Sequence, residues 1–371
     1  MSKIDTALPH VRAIPPYPPG RPIDDVAREF GLAPATIVKI ASNENPLGCS
    51  PKVSQALTAL ASGVNLYPDF DCYELTHALA AANGVEPAQV LPAAGSSEII
   101  QLVARAFLEP GRAAIIPQYS FQAYIGAAMS VGAQGLFVPA QDFAVDLDAL
   151  LDAVTERTTV LFLASPNNPT GTLIAPDALD RFVDALPEHV LLVIDDAYCE
   201  YVEPALRFDS VAALRRRRNL LVMRTFSKIH GLAGLRVGYA LGDPDLLGVL
   251  RRLQVPFSVS AAAQVAAVAA LADTAFAERS RIENAQERAR LALELTRRDI
   301  AFLPSAGNFL LLHVGAGAEL ADRLMRQGVI VRPVDGYGLQ EWLRVSIGLP
   351  AETDRFLAAL DEVHAAARQK V

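Results

Sequence analysis

Four short apolar runs constrain this chain more than any other feature: AAIIP at 113–117, VLFLAS at 160–165, VLLVIDD at 190–196 and LLVMRTFS at 220–227. None alternates apolar with polar residues, so each predicts a strand covered on both faces. Helical patterns separate them, among them SSEIIQLVARAFL at 96–108 and PDALDRFVDAL at 176–186, each opened by a polar residue or a proline. Strands alternating with helices predict an α/β fold with a mostly parallel sheet sheathed by helices. In such sheets ligands gather beyond the carboxyl ends of the strands. Polar residues fall at that edge three times: Asn167 and Asn168 after VLFLAS, Asp195 closing VLLVI, and Ser227 with Lys228 closing LLVMRTF. Three such edges favour one shared site.

At 371 residues the chain exceeds the usual size of one domain. We expect an arm over 1–30, a large domain over 31–279 and a smaller C-terminal α/β domain over 280–371. Prolines at 9, 15, 16, 18, 19 and 22 favour an extended arm over a helix. AAAQVAAVAALA at 261–272 is too short to span a bilayer and reads as a buried, closely packed helix. The charged pattern over 274–299 predicts a long connecting helix. Beyond it, NFLLLHV, VIVRPV and WLRVSIG predict short strands, and AELADRLMRQG and the stretch from Glu352 predict helices. RRRR at 215–218 reads as a solvated helix end.

A net charge of −8 argues against nucleic acid or an anionic membrane as partner, while leaving room for a local cationic pocket. Cys49, Cys72 and Cys199 are odd in number and far apart, with neither a disulfide framework nor a zinc spacing. The six histidines form no H-E-x-x-H pair, so no metal site is expected. The N-terminus lacks the apolar segment of a signal peptide, and the cysteine usage suits the reduced cytoplasm.

A lysine at a strand end is the residue for imine chemistry with a carbonyl cofactor. Pyridoxal 5'-phosphate (PLP) makes three demands: anion binders for its phosphate, a carboxylate for its ring nitrogen, and donors for its phenolic oxygen. Ser227 and Arg236 flank Lys228 and suit the phosphate. Gly95, Ser96 and Ser97 follow the strand-like VLPAA and open a helix, whose free N–H groups favour an anion. Asp195 suits the ring nitrogen, Asn168 and Tyr198 the phenolic oxygen, and Tyr119 the ring face. Each residue also has an ordinary reading: a surface lysine, a strand-end carboxylate, a turn asparagine, packing tyrosines. It is their order along the chain that favours the cofactor.

SPNNPTG, DDAY and FSK…GLAGLRVGY, in this order and spacing, resemble the PLP-dependent aminotransferases of fold type I. PGRPIDDVAREFGL…KIASNENPLG, YPD, AAGSSEII, GNFLL, GVIVRP and LRVSIG extend the likeness over nearly the whole chain, towards the histidinol-phosphate branch. The resemblance implies the fold type I architecture and a PLP-dependent transaminase. Lys228 would then be the covalent anchor and general acid–base, with Asp195 beneath the pyridinium. Asn168 and Tyr198 would lie at the phenolic oxygen and Tyr119 over the ring. Ser96, Ser97, Ser227 and Arg236 would hold the phosphate. It further implies a homodimer in which Tyr67 completes the partner's phosphate site. Tyr17, Asn43, Arg332 and Arg344 would bind the substrates, glutamate/2-oxoglutarate and histidinol phosphate.

This sequence departs from the usual pattern at Cys49, Ser97, Asp196 and His230, which leaves the substrate less determined than the cofactor; Cys49 would lie near the pocket and His230 would be structural. Rival readings are an aromatic amino-acid aminotransferase, a PLP-dependent phospho-amino-acid decarboxylase and a non-catalytic PLP-sensing module.

Overall fold

The computed structural model describes residues 6–16 and 19–368. Among these, the largest sheet has seven strands, in the spatial order Val90–Ala93, Gly238–Gly242, Leu220–Thr225, Leu191–Asp195, Thr158–Ala164, Ala113–Pro117 and Gln134–Val138. All neighbours pair in parallel except Gly238–Gly242, which runs antiparallel to both of its partners. The apolar runs are continuous because alternate residues feed two separate cores. Leu161, Leu163, Leu192 and Ile194 point into one, while Val160, Phe162, Leu191 and Val193 point into the other. Helix Pro176–Ala185 covers the first face and helix Ser96–Phe107 the second. Helix Ala261–Leu271 also belongs to the first core, its alanines packing closely on helices Pro51–Leu60 and Tyr73–Asn83.

A second sheet of four strands, Arg332–Pro333, Trp342–Ser346, Phe309–His313 and Phe302–Leu303, is antiparallel throughout. Its two faces divide cleanly by strand alternation. Leu310, Leu312, Leu343 and Val345 pack into a core shared with helices Thr274–Thr296, Gly317–Arg326 and Pro350–Arg368. On the opposite face, Phe309 packs against Ala197, Tyr198, Tyr201 and Ile229 of the larger sheet's loops. The C-terminal sheet thus closes over the carboxyl edge of the large one.

The Pro-rich arm is not wholly extended: Pro9–Arg12 forms one helical turn, with proline at its first position, where the missing N–H is no loss. Downstream of it, Val38–Lys39 pairs in parallel with Val329–Ile330, tying this segment to the C-terminal part. The arginines at 215–218 are engaged rather than merely solvated. Arg218 pairs with Asp243 and Asp245, and Arg217 donates to the Leu186 carbonyl. No single helix among the described residues is long and apolar enough to cross a membrane.

Candidate active site

A cleft of about 260 Å³ opens where the carboxyl ends of the central parallel strands meet the C-terminal sheet. Its walls carry four cations, Lys228, Arg236, Arg332 and Arg344, against two carboxylates, Asp195 and Glu44. Ser96, Ser97, Asn43, Asn168, Tyr198 and Ser227 also line it.

Asp195 is the last residue of its strand and is buried. Tyr124 donates its hydroxyl proton to one Asp195 oxygen at 2.6 Å, and the Ala197 N–H donates to the other at 3.0 Å. Burial pushes the carboxyl up to about 6, although both donors pull it down. A buried carboxylate held this way lacks a full counter-charge, and a cationic ring nitrogen would supply one.

Lys228 follows the neighbouring strand, and its Nζ donates to the Ser42 carbonyl at 3.1 Å, 5.6 Å from the centre of the Tyr198 ring. The Tyr198 hydroxyl accepts from Asn43 Nδ2 at 3.0 Å and from Asn168 Nδ2 at 3.3 Å. With two donors on its oxygen, its own proton is left for a further acceptor. Asn43 sits at φ 55°, a left-handed conformation that asparagine tolerates well, and Ser346 holds both its N–H and its side-chain oxygen.

The phosphate end is built on close approach. Gly95 has φ 82°, and a Cβ there would fall 2.8 Å from Arg236 Nη2. The missing side chain lets the guanidinium lie against the start of helix Ser96–Phe107, where unpaired N–H groups favour an anion. Arg236 also reaches the Ser227 hydroxyl at 3.5 Å, and Thr225 donates to that same oxygen at 3.0 Å. These residues fit a phosphate, and Asp195 fits a pyridinium.

At the far end, Arg344 is buried, donating to Asn168 Oδ1 at 2.6 Å and to the Ala41 carbonyl at 2.8 Å. Its direct cross-strand partner on one side is Arg332, and on the other Leu311.

Two expectations need amendment. Tyr119 does not line the cleft: its ring stacks on Phe143 at 5.6 Å, and Phe121 lines the cleft in its place. Two further residues of chain carry Phe121 past the corner at Tyr119, where φ is 58°. Cys49 is also absent from the lining; it packs against the core beneath the large sheet. Tyr67, 83% exposed, stacks on Phe257 at 4.8 Å, away from this chain's own cleft. Tyr17 lies outside the described residues. His230 contacts Phe226 at 4.9 Å, and burial pushes its imidazole down to about 4, so it stays neutral near pH 7.

Sequence reasoning missed Tyr124, Thr225 and Phe121. A signal for Tyr124 existed: a phenol within the apolar helix Ala123–Ser130 must find a buried partner for its hydroxyl.

A lysine and a carboxylate at adjacent strand ends, an anion cradle at a helix start and an arginine pair opposite define a fold type I group-transfer site. The chain belongs to the family described as aminotransferase class I and II, whose model matches residues 35–360. It is 49% identical over 362 residues to histidinol-phosphate aminotransferase 2 of Ralstonia nicotianae, covering 96% of this chain and 97% of that one. Against histidinol-phosphate aminotransferase 1 of Thiobacillus denitrificans the identity is also 49%, over 98% and 94% of the two chains. Among solved structures, the histidinol-phosphate aminotransferase of Sinorhizobium meliloti in complex with pyridoxal-5'-phosphate matches with a TM-score of 0.90 at 30% identity, covering 99% of both chains.

Proposed function

We propose that this chain is a PLP-dependent histidinol-phosphate aminotransferase, moving an amino group between glutamate and imidazole acetol phosphate in histidine biosynthesis, as a cytoplasmic homodimer. The observation that carries the reading is the pair Arg332 and Arg344, set opposite one another in the cleft that also holds Lys228 and Asp195. A guanidinium fork suits both carboxylate and phosphate oxygens. Two of them suit a substrate phosphate of roughly −1.5 to −2 charges.

When bound, the cofactor supplies an electron sink next to the substrate's amine-bearing carbon. The protein's own residues do the rest. Asp195, braced by Tyr124, holds its charge against the ring nitrogen. Ser96 and Ser97 through their N–H groups, Ser227 and Arg236 grip the phosphate. Tyr198 would donate to the phenolic oxygen, and Phe121, which lines the cleft in the place expected of Tyr119, would cover the ring face. Lys228 Nζ would anchor the cofactor, and the same amine would take and return the proton at the substrate carbon. Arg344 and Arg332 hold the substrate anion, with Asn43 and Tyr17 beside them. Residues 280–371 act as the small domain bringing both arginines to residues 31–279, and the arm borders the mouth at Gly20. Exposed Tyr67, with Leu66, Phe70 and Phe257 around it, supports a second subunit on that face.

A half-reaction panel followed by cofactor absorbance tests the assignment. Histidinol phosphate should convert the bound cofactor far more efficiently than phenylalanine or tyrosine. Equal or better conversion by the aromatic amino acids would make the chain an aromatic aminotransferase.

A further inference from the structure

Asp142 and Phe143, at φ 48° and 66°, form the corner of a two-residue hairpin closed by Gln141 and Ala144, whose N–H groups donate to each other's carbonyls at 3.0 and 2.8 Å. Such corners favour Asn-Gly or Asp-Gly. A bulky ring at positive φ is an outlier, kept only where its surroundings hold it. Here the corner sets the Phe143 ring edge-on against Trp342, with centroids 4.8 Å apart. Trp342 stands two residues from Arg344 on the same strand, hence on the same face. Leu311, the cross-strand partner of Arg344, is buried in the same apolar cluster as Phe143 and Trp342. Tyr119, also at positive φ, stacks on the Phe143 ring, and its carbonyl accepts from Asn167 Nδ2 at 2.9 Å. The next residue, Asn168, accepts from Arg344. The contacts therefore close a circuit: Arg344, Asn168, Asn167, Tyr119, Phe143, Trp342 and back along the strand to Arg344.

We propose that Phe143 is a positioning residue for anionic substrates, its strained turn pegging the Trp342 strand so that Arg344 meets Asn168 at the anion end of the cleft. The proposal rests on the reading of Arg344 as the substrate-anion clamp. It gives the diverted Tyr119 a role, as the back support of the peg.

Trp342 is the chain's one tryptophan, so its emission reports on this contact. The test titrates cofactor-loaded protein with maleate and, separately, with inorganic phosphate. Native protein is compared with Phe143→Gly, which relieves the turn while removing the ring, and with Phe143→Tyr, which keeps the ring. Native protein and F143Y should show a saturable emission change. F143G should need about tenfold more of either anion, a factor worth ~1.4 kcal/mol. Its KM for glutamate should rise alike, while kcat and cofactor affinity stay near native. Unchanged anion affinity in F143G, or an equal loss of cofactor affinity, overturns the positioning role while leaving the clamp intact. Failure of native protein to bind either anion overturns both.

Discussion

Arg332 and Arg344 are direct partners across two antiparallel strands, and both face the cleft that holds Lys228 and Asp195. Like charges set opposite one another are destabilising, so this pair makes physical sense as half of a site completed by an anion.

Anions should therefore stabilise the protein. A ligand at a hundred times its Kd adds about 2.7 kcal/mol, visible as a rise in Tm with added phosphate or dicarboxylate. Arg344→Lys keeps the charge but loses the fork, and we expect KM for glutamate to rise about 10- to 100-fold. Arg332→Gln should impair the phosphorylated substrate more than glutamate. Steady-state kinetics with both substrates checks this.

Asp195 gives the cofactor-free protein a pH signature. Its carboxyl lies near 6 in the fold against an ordinary value of 3.8. The folded state therefore keeps a proton that the unfolded chain has lost. Stability from this group is fully present below about pH 4, falls as pH rises through 6, and is level above; the total is on the order of 3 kcal/mol. Asp195→Asn should remove that slope. Tyr124→Phe removes a donor that favours the charged form, so the slope should extend to higher pH. Urea unfolding between pH 4 and pH 8, taken as differences from the native protein, checks both.

Gly95→Ala should weaken the cofactor's phosphate grip. The position has φ 82°, so alanine is strained by roughly 1 kcal/mol, and its Cβ would push the Arg236 guanidinium from the helix start. We expect a small loss of thermal stability together with at least about tenfold weaker PLP binding, measured by equilibrium dialysis.

Complementation checks the shared site. If Tyr67 serves the neighbouring subunit, mixing Lys228→Ala with Tyr67→Ala chains restores sites carrying both native residues. Mixed dimers should regain activity that neither variant has alone to the same degree. Mixtures no better than the sum of their parts would place Tyr67 outside the site.

The strand ends were legible because a parallel sheet buried on both faces leaves unbroken apolar runs, with chemistry set just beyond them. Asp195, Asn168 and Lys228 stand out there at or just past the apolar runs. The antiparallel strand Gly238–Gly242 was not legible: its residues GYALG are too small and glycine-rich to read as a strand. The edge strand Gln134–Val138 is only partly buried, and so lacks the same signal. Motif position suggested Tyr119 for the ring face, but backbone dihedrals decide which ring enters the cleft, and φ 58° turns this one away. The carbonyls of Ala41 and Ser42, which hold Arg344 and Lys228, carry no side-chain signal at all.

Borohydride reduction of the cofactor-loaded protein, followed by peptide mapping, addresses the central claim most directly. A single pyridoxyl adduct on Lys228, absent from Lys228→Ala, is the expected result. An unmodified Lys228, or an adduct on Lys39 or Lys52 instead, would contradict the assignment of the site.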